Sequence, residues 1–155
     1  MKNYISKFLN YKSFNFYLFW VVRMPKKLIV KFYNRNEHIV TKVVIRYGPV
    51  VLPPIDALWD TGATQTLVAE EIIDGLHIPP QGKSNMSILS GINQYSEHLL
   101  DIFLSDDLPF IAQRVLRAPV AHQGYGVVIG MDIISQGHFH IILDDEGKTF
   151  EYEYK

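Results

Sequence analysis

From Leu28 onward the chain alternates short apolar runs with turn residues. "KLIVKFYN" and "HIVTKVVIRYG" are rich in β-branched and aromatic residues, and the second alternates in part, so both read as strands. "NRNE" between them reads as a turn. "YGPVVLPP" is a break, because Gly48-Pro49 does not suit a central strand. "IDALW" predicts a short buried strand that ends at Asp60. "LVAEEIIDGLHIPP" reads as a helix, with Leu67, Ile72, Ile73 and Leu76 on one face, Glu70 and Glu71 solvated, and Gly75 as a stop. "MSILSGINQYSEHLLDIFLS" predicts two strands around a turn at "SGINQ". "DDLPF" is a turn and "IAQRVLRAPVA" a strand or extended segment. "GYGVVIGMDIISQGHFHIIL" reads as a buried run into glycine, a short helix and a strand. "DDEG" makes a tight turn and "KTFEYEYK" a last strand. The pattern predicts a mostly β fold with one or two short helices and no internal repeat.

Composition narrows the class. A chain of 155 residues suits one domain, and 48% apolar residues are enough for a core. The formal net charge of -1 gives no electrostatic case for nucleic-acid binding. There is no cysteine, which excludes disulfides, thiolate catalysis and cysteine-ligated zinc and fits a cytoplasmic location.

The first 27 residues differ from the rest. A basic start leads to an apolar, aromatic patch at residues 14–22, followed by Arg23, Lys26 and Lys27. The patch is far shorter than the roughly 20 apolar residues of a spanning helix. Three readings are open. The segment is a poorly ordered extension with translation starting at Met24, or an interfacial membrane anchor, or the apolar part of an export signal without a small-x-small cleavage site. We therefore divide the chain into an extension, 1–27, and a domain, 28–155.

The chemistry centres on "WDTGAT", Trp59 to Thr64. An apolar strand delivers a carboxylate onto a turn of small residues. A lone surface carboxylate, with a pKa of about 4, is a poor catalyst at neutral pH. Two carboxylates forced together cannot both ionise; they share a proton, and one acts as base on water while the other acts as acid. Gly62 lets a backbone N–H reach the Asp60 carboxylate. The Thr61 hydroxyl is able to bond across to a partner, and Ala63 leaves room. Downstream, "VVIGMDII" carries buried β-branched residues into Gly130, which permits a tight chain crossing before a helix.

Together, "ALWDTGATQTLVAEEI" and "VVIGMDIISQGHF" resemble the retropepsin-like aspartic proteases, the family of retroviral proteases. The order and spacing match from roughly Val40 to the C-terminus, and the "IGMDII-x-x-G-x-F" ending looks closest to small bacterial members. The resemblance implies a closed β-barrel lobe, one lobe per chain, with Asp60 as the catalytic acid and Thr61, Gly62 and Ala63 in support. It implies a structural ψ-loop at Gly130 and a substrate-binding flap at Ser90, Gly91 and Ile92. Here the flap has one glycine at its tip, where many relatives have more. With no second D-[ST]-G in the chain, the resemblance implies a homodimer that hydrolyses peptide bonds with one Asp60 from each copy, using no metal and no cofactor.

Other candidates have simpler roles. Asp132 follows Gly130-Met131 and reads as a first-turn helix acid rather than a second catalytic acid. Asp56 reads as a strand-start or turn acid, and Asp106, Asp107, Asp144 and Asp145 as solvated turn acids. His138 and His140 point to one face of a strand, which is half a metal site without a third ligand. Trp59 reads as core. Tyr152 and Tyr154 alternate with Glu151 and Glu153, and this last strand is a candidate for the dimer interface.

The leading expectation is a homodimeric aspartic endopeptidase. The alternative is a non-catalytic binding or assembly module with the same fold. A third is a membrane-associated processing enzyme tethered through residues 14–22.

Overall fold

The computed structural model describes residues 26–88 and 91–154. The expected extension, 1–27, lies outside them apart from Lys26 and Lys27, and so does the patch at 14–22.

Among the described residues eleven strands form two sheets. The strands are β1 (Lys27–Phe32), β2 (Val40–Tyr47), β3 (Val50–Val51), β4 (Ile55–Trp59), β5 (Leu67–Ala69), β6 (Gly82–Ile88), β7 (Gly91–Phe103), β8 (Pro109–Ala118), β9 (Val127–Ile129), β10 (Gly137–Asp144) and β11 (Gly147–Tyr154). Two short helices, α1 (Glu70–Gly75) and α2 (Met131–Ile134), accompany them. The larger sheet has the order β3-β2-β4-β9-β5-β8-β7-β6, and β2 pairs with β7 as well. The smaller sheet has the order β1-β11-β10.

At the centre of the large sheet β9 is covered on both faces, which fits its unbroken apolar sequence. β4 lies antiparallel to β2 and parallel to β9, with Ala57 opposite Val127 and Trp59 opposite Ile129. All of β9 is buried, and Val43 and Ile45 of β2 complete the same core. Phe32, Phe150 and Tyr152 extend that core under the small sheet. Trp59 joins the two layers. Its ring lies 4.7 Å from Phe150, 5.0 Å from Tyr152 and 5.9 Å from Phe139, and its Nε1–H donates to Thr41 Oγ1 at 2.9 Å.

One expectation needs correction, and the last strand takes a central place. The predicted helix from Leu67 is shorter: Leu67–Ala69 is a strand, parallel to β8 and antiparallel to β9, and only Glu70–Gly75 is helical. The apolar run "LVA" finds strand partners on both sides, and tertiary pairing overrides helical periodicity. The last strand, β11, lies in the middle of its sheet, with β1 on one side and β10 on the other. Its backbone has no free edge to offer a second chain, and Tyr152 is fully buried.

Candidate functional site

Asp60 is the first residue after β4. Its N–H donates to the carbonyl of Ile129 in β9 at 3.0 Å, so the loop leaves the sheet from a fixed point. The turn then closes through Ala63 N–H to the Asp60 carbonyl at 3.1 Å. Gly62 N–H donates to Asp60 Oδ1 at 2.8 Å and orients the carboxylate. A Cβ on Gly62 would lie 3.1 Å from that oxygen, so a side chain there would crowd it. Asp60 is half-buried, while Thr61 and Gly62 are exposed on the surface of the single chain.

The loop is bolted to the segment around Gly130. Met131 N–H donates to the Ala63 carbonyl at 2.8 Å and Asp132 N–H to the Thr64 carbonyl at 3.2 Å. Gly130 passes so close that a Cβ on it would meet Gln65 C at 2.5 Å and Ala63 O at 3.0 Å. Beneath this crossing Thr66 is fully buried. Its hydroxyl accepts from Gly130 N–H at 3.1 Å and donates to Asp132 Oδ1 at 2.7 Å. Asp132 also accepts from Ile133 N–H at 3.0 Å and, through Oδ2, from Gln113 Nε2 at 3.0 Å. Asp132 is thus a helix-start acid, as expected, and also a tie between the loop, α2 and β8. Thr66 and Gln113 are not legible in the sequence as part of this network; a lone hydroxyl directly before an apolar strand is the only sequence signal for Thr66.

The β6–β7 hairpin stands beside this loop. Ser84 Oγ donates to Gln65 Oε1 at 3.2 Å. Gly91 and Ile92 open β7, opposite Ile88 and Ser87, and Ser90 lies outside the described residues. Gly91 has a φ of 129°, which favours glycine, and Ile92 is 72% exposed. A polar cleft of about 460 Å³ lies at the base of this hairpin, lined by Glu70, Asn93, Gln94, Ser96, Arg117 and Pro119, and it does not include Asp60. Along it Arg117 grips α1, with Nε and a terminal nitrogen on the two Asp74 oxygens at 2.9 and 2.7 Å and the other nitrogen on Glu70 at 3.0 Å. These hydrogen bonds hold the Asp74 carboxyl below the usual carboxylate range.

The remaining candidates are placed apart from Asp60. Asp56 pairs with Lys42 at 2.7 Å, Asp107 accepts from Ser105 Oγ at 2.7 Å, and Asp144 accepts from Glu146 N–H at 2.9 Å. His138 and His140 are exposed on β10 with ring centroids 6.2 Å apart. Among the described residues no three His, Asp or Glu side chains gather as a metal site. No helix among the described residues is long and apolar enough to cross a membrane.

No family model and no curated protein sequence matches the chain. Among solved structures, it is similar to a retropepsin-like aspartic protease from Rickettsia conorii, with a TM-score of 0.54 and 14% identity over 84% of this chain and 94% of that one. It is also similar to EIAV protease complexed with the inhibitor HBY-793, with a TM-score of 0.49 and 20% identity over 67% of this chain and 91% of that one. The retroviral protease-like domain of Ddi1 from Leishmania major matches with a TM-score of 0.44 and 14% identity over 73% and 93% of the two chains. The first of these similarities establishes a retropepsin-like fold for this chain.

Proposed function

We propose, proceeding from that retropepsin-like fold, that the chain is an aspartic endopeptidase that works as a homodimer. The observation that carries the reading is the Asp60 loop. Its carboxylate is oriented by Gly62 N–H at 2.8 Å, its backbone is tied to β9 and to α2, and its outer residues Thr61 and Gly62 stand open to solvent. A rigid acid on an exposed turn is half of a shared-proton pair. A two-fold axis beside the loop supplies the other half from the same residue of a second copy.

With the pair assembled, one Asp60 carboxylate takes a proton from water, and that water attacks the peptide carbonyl. The other carboxyl protonates the developing oxyanion. Collapse of the tetrahedral intermediate then delivers a proton to the leaving amine. No bond forms between enzyme and substrate. The β6–β7 hairpin, with Gly91 and Ile92 opening β7 and Ser90 before them in the sequence, closes over the peptide, excludes water and offers backbone hydrogen bonds. Thr61, Gly62 and Ala63 hold the acid and leave space for the second copy, and Gly130 holds the loop from below.

The test compares wild type with Asp60→Asn on a diverse peptide library from acidic to neutral pH, with the mass of each protein in solution measured alongside. The expected result is cleavage by wild type and none by a variant of unchanged mass. No cleavage by a folded, dimeric wild type would sink the reading in favour of a binding module.

A further inference from the structure

The small sheet has one face on the core and the other in solvent, and strand alternation assigns each residue to one of them. Phe139, Phe150 and Tyr152 are on the core face, packed against Trp59. Their neighbours along the strands therefore point to solvent. On β10 these are His138 and His140, both exposed, and on β11 they are Glu151 and Glu153, both half-buried. The register sets His138 opposite Glu153 and His140 opposite Glu151. The third ligand that the H-x-H pattern lacks along the sequence thus comes from the neighbouring strand.

The spacing suits chelation. Opposed side chains of an antiparallel pair have Cβ atoms about 5 Å apart, and alternate residues of one strand stand about 7 Å apart. A tetrahedral ion about 2 Å from one nitrogen of each ring holds two imidazole centroids about 5 Å apart. The His138 and His140 centroids are 6.2 Å apart, about 1 Å more than that. In the described conformation no three such side chains converge, so an ion must draw them together. Both histidines are exposed and have space to turn, and a small change of χ angle closes the gap. Lys27 Nζ already holds Glu151 at 2.7 Å, which makes Glu153 the carboxylate for the ion.

We infer that His138, His140 and Glu153 bind a divalent transition-metal ion such as Zn2+, with water completing its coordination. Two imidazoles and a carboxylate suit zinc, cobalt or nickel, whereas magnesium and calcium take oxygen donors. The site lies on the face of the sheet away from Trp59, apart from the Asp60 loop, and does not depend on the protease reading. Bound there, the ion laces the edge strand β10 to the central strand β11.

The test is calorimetric titration of Zn2+ into the full-length chain without a histidine tag, with Mg2+ as the control. One Zn2+ per chain is expected, and no Mg2+. His138→Ala and His140→Ala are each expected to weaken Zn2+ binding at least about tenfold, since even the loss of a group that only orients a ligand costs about that much. Glu153→Gln is expected to weaken it as well, while Glu151→Gln leaves it near the wild-type value. Circular dichroism of each variant checks that the fold is kept, as substitution at these solvent-facing positions predicts. No saturable binding at micromolar Zn2+ overturns the site and leaves a ladder of opposite charges. Binding that survives both histidine substitutions, or one ion per two chains, overturns it equally. Weakening by Glu151→Gln but not by Glu153→Gln overturns the choice of carboxylate.

Discussion

At Gly130 a hydrogen in place of a methyl group decides whether the Asp60 loop and α2 lie against each other. The absent Cβ would lie 2.5 Å and 2.6 Å from backbone atoms of Gln65, and backbone does not swing aside as a long side chain does. Gly130→Ala should lower unfolding stability by about 2 kcal/mol or more, read from urea denaturation, because overpacking forces the main chain to shift. Thr66 poses the complementary test. Its hydroxyl serves Gly130 N–H and Asp132 Oδ1 in a fully buried position. Thr66→Val keeps the shape, takes from the buried Gly130 N–H its acceptor and leaves Asp132 Oδ1 with Ile133 N–H alone, so roughly 1–3 kcal/mol should be lost in the same measurement. A variant as stable as wild type would show that water replaces the hydroxyl. Of these two residues, Gly130 is legible in the sequence because it ends a β-branched run. Thr66 is not, because its partner Asp132 lies 66 residues away and nothing local marks the pairing.

Among the elements, α1 is six residues long, has no side-chain cap and is attached by Ile73 in the core and by Arg117 of β8 at its surface. The guanidinium lowers the Asp74 pKa through hydrogen bonds, against an opposing desolvation. A carboxyl whose pKa falls on folding contributes stability above its unfolded value, near 3.9, and loses it as pH drops through the lower folded value. Asp74→Asn should therefore be less stable than wild type near neutral pH, and the gap should shrink below about pH 4. Asp74 is exposed, so the gap is small, and parallel denaturant melts at the two pH values would measure it. Tyr152 makes a firmer contact between elements. It is fully buried, and its hydroxyl donates to the Ile133 carbonyl of α2 at 2.7 Å, while burial raises its pKa. Tyr152→Phe should cost about 1 kcal/mol in thermal or urea unfolding, the typical net worth of one hydrogen bond.

For the whole molecule, the decisive property is that one chain holds one Asp60. If activity needs two copies, wild-type cleavage should fall as inactive Asp60→Asn chains are mixed in and mixed dimers form. At equal amounts, random exchange leaves roughly one quarter of the dimers with two aspartates. A linear dilution to one half after full exchange would mean that the chains work singly. On the same reading, specific activity should also drop on dilution, because a dimer dissociates by mass action.

Local order is legible in the amino-acid pattern. Most strands, the turn acids, the helix after Gly130 and the D-T-G turn are written in runs of a few neighbouring residues, where side-chain alternation and backbone propensity act. The elements that depart from that pattern depend on distant partners. Leu67–Ala69 is a strand because β8 and β9 lie beside it, and β11 is a central strand because β1, more than a hundred residues earlier, closes its other side. The sequence by itself determined a mostly β chain with an acid on a small-residue turn and a glycine built for a close crossing. Only the tertiary structure decided that Thr66 and Asp132 clamp that turn, that Trp59 seats it on the small sheet, and that β10 stands at the edge of that sheet among the described residues. Hydrophobic pattern acts through neighbours along the chain, whereas pairing, burial and free edges are settled by contacts between segments that the sequence keeps apart.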